Sequence, residues 1–119
     1  MPDSAIHRRQ ASHNEAFLAA LDVDTTPFHD WMVTTMFYAA LHHIESYLAT
    51  KNVHLHTHLG RENLIWAVHE LRPVYDSYRR LKHRSELARY EAVTFSAEQV
   101  RAMQTAELAH IKSHIATLL

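Results

Sequence analysis

The chain contains no cysteine, only one glycine and three prolines among its 119 residues. The absence of cysteine excludes disulfides, thiolate catalysis and thiolate metal ligands, and it is compatible with the cytoplasm. Because glycine and proline interrupt helices most strongly, their scarcity favours long helical segments. Between these few breaks the apolar residues recur at helical spacing, and no segment shows the alternation of a half-buried strand. The sequence therefore predicts an all-α protein.

A long apolar run and an excess of one charge are also missing. No stretch approaches the roughly 20 apolar residues of a membrane span, and the N-terminal segment lacks the apolar core of a signal peptide. The formal net charge is -1 at pH 7, so the chain lacks the overall basic excess typical of nucleic-acid-binding domains. We expect a soluble, cytoplasmic protein that forms one domain over residues 1–119.

The first two helices are predicted from apolar spacing and from cap residues. The first should span about residues 4–21. Its inward face is predicted to contain Ile6, His13, Phe17, Ala20 and Leu21. The second should span residues 27–50, because Thr26 is a favourable N-cap and Pro27 a favourable first helical residue. Its apolar residues extend almost around the helix, which predicts a central and largely buried position.

Later cap residues and a proline predict the remaining helices. Thr57 should begin a third helix, which Pro73 is expected to end or kink. A fourth helix is predicted over residues 73–92. Ser96 and Gln99 form a predicted capping box at the start of the last helix, which runs nearly to the C-terminus. Together these segments predict an up-and-down bundle of four main helices plus a short extra helix.

Histidine is unusually abundant, with twelve residues in the chain. The loop VHLHTHLGR after the second helix concentrates four residues of interest: His54, His56, His58 and Arg61. Tyr38, His42 and Glu45 share a flank of the second helix that points towards this loop. Converging neutral imidazoles can bind zinc, nickel or copper, so a histidine-bound divalent transition metal is one alternative. The favoured alternative is a surface loop in which His54 or His58 caps a neighbouring helix.

The last helix contains a second group of metal-ligand residues. Glu107, His110 and His114 share one face, and a Glu-x-x-His pair is part of carboxylate-bridged di-iron sites in helical bundles. Such sites need a matching pair from a second helix, and the sequence supplies none. A solvated helix edge is therefore the preferred interpretation of these residues.

The fourth helix is the most basic part of the chain, and Arg79 and Arg89 are candidate ligands of phosphate groups. Three tyrosines on which bases could stack are interleaved with this segment: Tyr75, Tyr78 and Tyr90. The competing interpretation is an exposed arginine-rich helix whose tyrosines belong to the core. Trp31 and Trp66 are interpreted as core residues.

Phosphodiester cleavage without a metal needs a general base and a group that stabilises developing negative charge. His42 or His58 together with Arg61 would meet this minimum, with Tyr38 or Glu45 orienting the imidazole. The same residues would equally form a hydrogen-bonded polar network inside a bundle. The sequence alone leaves both interpretations open.

The run FYAALHHIESYLA, the following VH…H..R loop, and the later segments Tyr78-Arg-Arg-Leu and Ser85-Glu-Leu-Ala-Arg-Tyr90 resemble the higher-eukaryote and prokaryote nucleotide-binding (HEPN) family. The resemblance covers about residues 11–118. It implies a bundle of four main helices with a short extra one, commonly dimeric. The family includes ribonuclease toxins that are paired with nucleotidyltransferase antitoxins, so the resemblance implies RNA as a ligand.

The catalytic hallmark of this family is an arginine and a histidine separated by four to six residues on a later helix. Two pairs on the later helices miss this spacing: Arg79 with His83, and Arg101 with His110. Arg8 and His13 have the spacing but lie in the first helix, so we do not assign them the catalytic role. Any ribonuclease site is therefore expected to be assembled differently.

These observations lead to one principal hypothesis and two alternatives. The principal hypothesis is a homodimeric HEPN-like protein that binds RNA or a nucleotide and is a candidate metal-independent endoribonuclease of toxin–antitoxin type. Its predicted catalytic residues are His42, His58 and Arg61, and its predicted binding residues are Tyr38, His54, Arg79 and Arg89. The alternatives are a non-catalytic or antitoxin-like interaction module with structural histidines, and a histidine-rich metal-binding bundle. The expected partners are RNA or a nucleotide and a nucleotidyltransferase.

Overall fold

The computed structural model describes residues 2–119, and within this range it contains helices and no strand. The prediction of an all-α protein is therefore confirmed. No helix in the described range is long and apolar enough to cross a membrane. The helices are α1 (Ser4–Ala20), α2 (His29–Thr50), α3 (His58–Ala67), α4 (Tyr75–Tyr90), α5 (Ala97–Ala102) and α6 (Ala109–Leu118). A 3-10 turn precedes α4 at Arg72–Val74, and a π-helical segment, Met103–Leu108, joins α5 and α6 without a break.

Helix α2 is the centre of the bundle, as its apolar pattern predicts. It packs against α1, α4, α5 and α6. Most of its residues are buried, and its side chains Phe37 and Ile44 are fully enclosed. Burying an apolar side chain of this size stabilises the fold by about 1.5–3 kcal/mol. The other helices are positioned by contact with α2 or with a helix that itself contacts α2.

Helix α2 starts two residues later than the sequence predicts. The structure begins it at His29 with Phe28 as the N-cap, whereas the sequence suggested Pro27 as its first residue. The hydroxyl of Thr26 accepts a hydrogen bond from the backbone N–H of Phe28 at 3.1 Å. Thr26 also donates its own N–H to the carbonyl of Asp22. Thr26 therefore closes a turn before the helix rather than capping it.

The predicted inward face of α1 is wrong. The side chains that α1 buries are His7, Ala11 and Leu18, whereas Ile6 and Phe17 are 44% and 41% exposed. Helix α1 packs mainly against one neighbour, α2. A single close helix contact favours a narrow stripe with a small residue at its centre, and Ala11 supplies it. Ile6 and Phe17 therefore remain on the flank of the stripe.

The segment between α3 and α4 also differs from the prediction. Helix α3 ends at Ala67, well before Pro73, and Val68 is its C-cap. The chain then turns, and Pro73 lies in the 3-10 turn that leads into α4. Proline is compatible with the first turn of a helix because its missing N–H is not needed there. Pro73 therefore belongs to the entry into α4, and α4 itself ends at Tyr90.

The predicted caps of α3 and of the last helix are confirmed. The hydroxyl of Thr57 accepts from the N–H of Gly60 at 3.0 Å. Ser96 and Gln99 form both reciprocal hydrogen bonds of a capping box. These caps are local in sequence, which is why the residue pattern identifies them.

Two helices end in the left-handed backbone region without a glycine. Asn52 follows α2 with a φ of 57°, and Ala92 follows α4 with a φ of 54°. In both places a backbone N–H one residue later closes the end of the helix, since Val53 donates to Leu48 and Val93 donates to Leu87. Glycine is the preferred residue at this position. In this chain, which has a single glycine, Asn52 and Ala92 occupy these positions instead. The left-handed conformation is energetically unfavourable for alanine.

Candidate functional site

A cavity of about 210 Å³ lies between the start of α1, the middle of α2 and the histidine-rich loop. Its wall contains four imidazoles, a carboxylate and a guanidinium together with apolar groups. The lining residues are Pro2, His7, Leu41, His42, Glu45, His54, Leu55, His56 and Arg61. We call it the histidine pocket. It brings together three residues that the sequence identifies as candidates: His42, His54 and Arg61.

The histidine pocket contains a direct contact between two imidazoles. The Nδ1 atoms of His7 and His42 lie 3.0 Å apart, and the ring centroids are 5.2 Å apart. At this distance one Nδ1 donates its proton and the other accepts it, so the two neutral rings have opposite tautomers. Neither Nε2 atom makes a hydrogen bond within residues 2–119. A neutral pair therefore presents one free Nε2 lone pair and one Nε2–H.

Burial keeps both imidazoles of this pair neutral. It lowers the pKa of His42 to about 4, and repulsion from Arg61, and from His7 whenever His7 is protonated, adds to this effect. Burial also lowers the pKa of His7, although Glu45 opposes the change. An imidazole with a lowered pKa is uncharged at neutral pH and can act as a base. The electrostatics of the pocket therefore favour a proton-sharing neutral pair over an ion pair.

Arg61 and Glu45 form a buried ion pair beside the two imidazoles. The Nε of Arg61 donates to Oε1 of Glu45 at 2.6 Å, and the two side chains are 8% and 5% exposed. Burial alone would lower the pKa of Arg61, but its hydrogen bond with Glu45 raises this pKa above its ordinary value. The charge of Arg61 is thus compensated within the fold. Its guanidinium connects α3 to α2 and fixes the wall of the histidine pocket.

His58 lies beside Arg61 and outside the lining of the histidine pocket. Its Nδ1 accepts a hydrogen bond from Nη1 of Arg61 at 3.2 Å, and its ring packs against Phe37 with centroids 5.7 Å apart. Burial lowers the pKa of His58, and the nearby charges of Arg61, Lys82 and Arg89 lower it further. The structure therefore places His58 in a positive environment on α3, joined to the pocket through Arg61.

Tyr38 and Arg89 form a separate polar group outside the lining of the histidine pocket, and Arg89 lines a different cavity between the start of α2 and the end of α4. The Nη1 of Arg89 donates to the hydroxyl oxygen of Tyr38 at 3.0 Å and to that of Tyr90 at 3.3 Å. Its remaining hydrogen bonds go to the carbonyl and the hydroxyl of Ser85. All these acceptors are neutral, and no carboxylate of the described residues lies within 4.0 Å of this guanidinium. Arg89 is therefore an oriented cation whose charge is not compensated by an ion pair.

Arg79 is the one predicted binding residue that lies apart from these groups. Its guanidinium lies over the ring of Tyr75, 5.5 Å from the centroid. Arg79 does not line the histidine pocket. The other arginines of α4 are largely engaged, since Arg80 and Arg84 both donate to Glu107. The basic helix is thus divided between ion pairs inside the bundle and a few cations without a carboxylate partner.

The residues of the last helix with di-iron spacing do not converge. Glu107 is buried and faces α4, whereas Nε2 of His110 hydrogen-bonds to the carbonyl of Pro73 and Nε2 of His114 to that of Glu70. Among residues 2–119 there is no group of three or more His, Asp or Glu side chains arranged to hold a metal ion. The two histidines instead hold the segment before α4 against α6.

Sequence analysis missed His7, which contributes half of the imidazole pair. His7 and His42 are 35 positions apart, and no local motif connects them. The only available signal was the spacing of His7, Ala11 and Leu18 at helical intervals, which would have placed His7 on the buried face. Ile6 and Phe17 are more apolar than His7 and Ala11, so they indicated a different face of α1 as the buried one.

No protein-family model, no curated protein and no solved structure matches this chain. The functional argument therefore depends on the geometry of the site.

Proposed function

We propose that the protein binds RNA or a nucleotide at the histidine pocket and cleaves phosphodiester bonds without a metal ion. The observation that carries this proposal is the Nδ1–Nδ1 contact of His7 and His42 at 3.0 Å in a cavity that Arg61 also lines. General acid–base cleavage needs one group that accepts a proton and one that donates it. A neutral imidazole pair with opposite tautomers supplies both.

The proton balance of this reaction follows from the tautomers. The free Nε2 of one ring accepts the proton of the RNA 2′-hydroxyl, whose oxygen attacks the neighbouring phosphorus atom and forms a cyclic phosphate. The Nε2–H of the other ring gives its proton to the 5′-oxygen as the P–O bond breaks. The proton between the two Nδ1 atoms moves from one ring to the other. The pair therefore ends neutral, with its tautomers exchanged.

We propose that Arg89, which lines a different cavity from the histidine pocket, attracts a phosphate of the bound strand. Its guanidinium is held by neutral oxygens of Tyr38, Ser85 and Tyr90, so it is oriented and still attractive to an anion. Arg61 is compensated by Glu45, and we propose that it positions the pocket wall and His58. This differs from the sequence-based hypothesis, in which Arg61 itself stabilises the developing charge.

We further infer from the sequence resemblance that the bundle is HEPN-like, that it forms a homodimer, and that the protein is cytoplasmic. The resemblance also motivates a toxin–antitoxin role with a nucleotidyltransferase partner. The supporting structural feature is the coarse architecture: a long buried central helix α2, three further long helical segments and the short α3. A solution measurement of molecular mass tests the homodimer directly.

A second candidate function is a non-catalytic interaction module. Several histidines have clear structural hydrogen bonds, since Nε2 of His29 contacts the carbonyl of Val23 at 2.6 Å and His114 contacts that of Glu70 at 2.6 Å. If the His7–His42 pair has the same purpose, the pocket stabilises the bundle and binds a partner without chemistry. This candidate predicts RNA or protein binding with no cleavage.

Cleavage of a mixed RNA pool in the presence of a chelator separates the two candidates. The wild type is compared with His42→Asn, because an asparagine amide can retain a hydrogen bond to His7 while it cannot act as a base or an acid near neutral pH. His83→Ala is the matched control, since His83 is exposed on α4 and its side chain makes no hydrogen bond within the described residues. Circular dichroism checks that each variant is folded.

The proposal predicts cleavage by the wild type and by His83→Ala, and a loss of about 100-fold or more in folded His42→Asn. Equal rates for the wild type and His42→Asn would remove the imidazole pair from the mechanism. RNA binding without any cleavage by the wild type would favour the interaction module.

A further inference from the structure

A group of aromatic and arginine side chains, half-buried at Tyr75 and otherwise exposed, lies where α3 ends and α4 begins. The rings of Trp66 and Tyr75 pack with their centroids 5.1 Å apart and their planes at 57°. The guanidinium of Arg72 lies 4.8 Å from the centre of the Trp66 ring, and that of Arg79 lies 5.5 Å from the centre of the Tyr75 ring. We call these four residues the stacking platform.

The platform is ordered although it lies at the surface. Trp66 is 54% exposed, which contradicts its interpretation as a core residue. Nε of Arg72 donates to the carbonyl of Trp66 at 2.8 Å and so fixes the guanidinium against the indole. Exposed aromatic rings held by cation–π contacts need little further ordering when a planar ligand stacks on them. The sequence analysis did not identify this arrangement, because its members come from two helices and a turn.

The charge of the platform is positive. Neither Arg72 nor Arg79 forms an ion pair within 4.0 Å among residues 2–119, in contrast to Arg80, which pairs with Glu107. Of the nearby carboxylates, Glu70 accepts a hydrogen bond from the hydroxyl of Tyr47. Asp76 is exposed on α4 and also lacks an ion pair in this part of the chain. Two uncompensated guanidinium groups therefore flank two rings.

We infer that the platform binds single-stranded nucleic acid, with a base stacked on Trp66 and backbone phosphates at Arg72 and Arg79. Aromatic side chains and arginine planes are the features by which proteins hold unpaired bases, whereas the bases of a duplex are inaccessible to such stacking. This inference rests on the proposed function for the identity of the ligand as RNA. It adds that the ligand is single-stranded and that it extends along α3 beyond the histidine pocket.

The other tryptophan provides a matched control. Trp31 is 55% exposed, but it lines an apolar groove with Phe17, Leu21 and Phe28 that contains no arginine or lysine. A groove of this composition offers no group to a phosphate. If the platform is the binding surface, an RNA strand should affect the fluorescence of Trp66 and leave that of Trp31 unchanged.

The first experiment is a fluorescence titration with a single-stranded oligouridylate in the presence of a chelator. Two variants each keep one tryptophan: Trp31→Phe leaves only Trp66, and Trp66→Phe leaves only Trp31. Both variants also contain His42→Asn, so the RNA strand stays intact during the measurement. We expect the oligouridylate to quench Trp66 and not Trp31, and we expect a fully paired RNA duplex to quench neither. The affinity of Trp66→Ala for the oligouridylate should fall by about tenfold.

The second experiment measures how the affinity depends on salt. Each arginine that contacts a phosphate of a single strand contributes about 0.7 to the slope of log K against log salt concentration. Arg72→Ala and Arg79→Ala should each reduce the slope by about this amount. Arg9→Ala is the control, because Arg9 is exposed on α1 and distant in sequence from the platform. It should leave the slope unchanged.

The outcomes separate this inference from the proposed function. Quenching of Trp66 without RNA cleavage by the protein with an intact His42 supports the platform and contradicts the catalytic proposal alone. Cleavage without quenching of Trp66 contradicts the platform alone. Quenching of Trp31 instead of Trp66, or equal salt slopes for Arg79→Ala and Arg9→Ala, would also overturn the inference.

Discussion

The buried ion pair between Arg61 and Glu45 should be a major determinant of stability. Both side chains are almost fully enclosed, and their contact distance is 2.6 Å. Replacement of Arg61 by alanine leaves the Glu45 carboxylate buried without a partner and removes a donor to His58. Breaking a buried pair in this way costs about 3–5 kcal/mol. Domains of this size are usually stable by about 5–15 kcal/mol, so the loss is a large fraction of the total.

Urea denaturation followed by circular dichroism measures this effect. With a slope of about 1.5 kcal/mol per M urea, the midpoint of Arg61→Ala should fall by about 2–3 M. Arg80→Ala is a matched control, because Arg80 is 51% exposed and Arg84 remains on the shared carboxylate of Glu107. Because Arg80 is half-exposed and Arg84 still pairs with Glu107, loss of Arg80 should cost no more than about 1 kcal/mol.

A double variant tests the reasoning further. Replacement of both charges, by Arg61→Met with Glu45→Leu, removes the pair without leaving either charge buried alone. Its stability should be closer to that of the wild type than the stability of Arg61→Ala. A buried-pair effect is excluded if Arg61→Ala loses no more stability than Arg80→Ala, or if the double variant is the least stable protein of the series.

Two further predictions concern histidine protonation and a helix end. Because the pKa values of His7 and His42 are lowered in the folded protein, the folded protein binds fewer protons than the unfolded chain below about pH 6.5. The contribution of the two histidines to stability is therefore complete above that pH. It is lost as the pH falls towards 4. Urea midpoints measured between about pH 7 and pH 4.5 should therefore decrease more steeply for the wild type than for His42→Asn, and parallel curves would contradict this account. Ala92→Gly should raise the free energy of unfolding by about 0.5–1 kcal/mol, because a left-handed alanine costs about 1–2 kcal/mol and glycine loses about 0.4–1 kcal/mol through the unfolded state. Urea denaturation measures the free energy of unfolding of Ala92→Gly. A value below that of the wild type would show that the φ of 54° causes no strain.

The features that the sequence predicted correctly depend on neighbouring residues. The helical class follows from apolar spacing, and the caps at Thr57 and Ser96 follow from side chains that bond to the backbone three residues later. The central position of α2 follows from apolar residues around its whole circumference. Each of these signals lies within one turn or one helix, so the sequence contains it completely.

The features that the sequence did not predict depend on packing between distant segments. The buried face of α1 is determined by close contact with α2, which selects Ala11 and leaves Phe17 outside. Hydrophobicity alone would favour burial of Phe17 over burial of Ala11. Trp66 lies at the surface and packs against Tyr75 from another helix, a contact that helical spacing within α3 does not reveal.

In the candidate site, too, the residues in local clusters were predicted and those brought together by distant packing were not. His42, His54 and Arg61 were identified because the loop and the flank of α2 concentrate unusual residues, and the structure places all three around one pocket. His7 was missed because it lies in a polar stretch of α1 and no local motif marks it. The pairing of Arg61 with Glu45 also changes the expected role of this arginine, since its charge is compensated.

We propose that His7 and His42 form a proton-sharing neutral pair at the binding site for RNA. Nitrogen NMR of the histidine rings, recorded at neutral pH with and without a single-stranded RNA that carries a non-reactive 2′-position, distinguishes the tautomers of the two rings. We expect one Nδ1–H ring and one Nε2–H ring for the pair, with both resonances shifted by RNA while that of His83 stays constant. Two rings with the same tautomer, or ring resonances that RNA leaves unchanged, would contradict it.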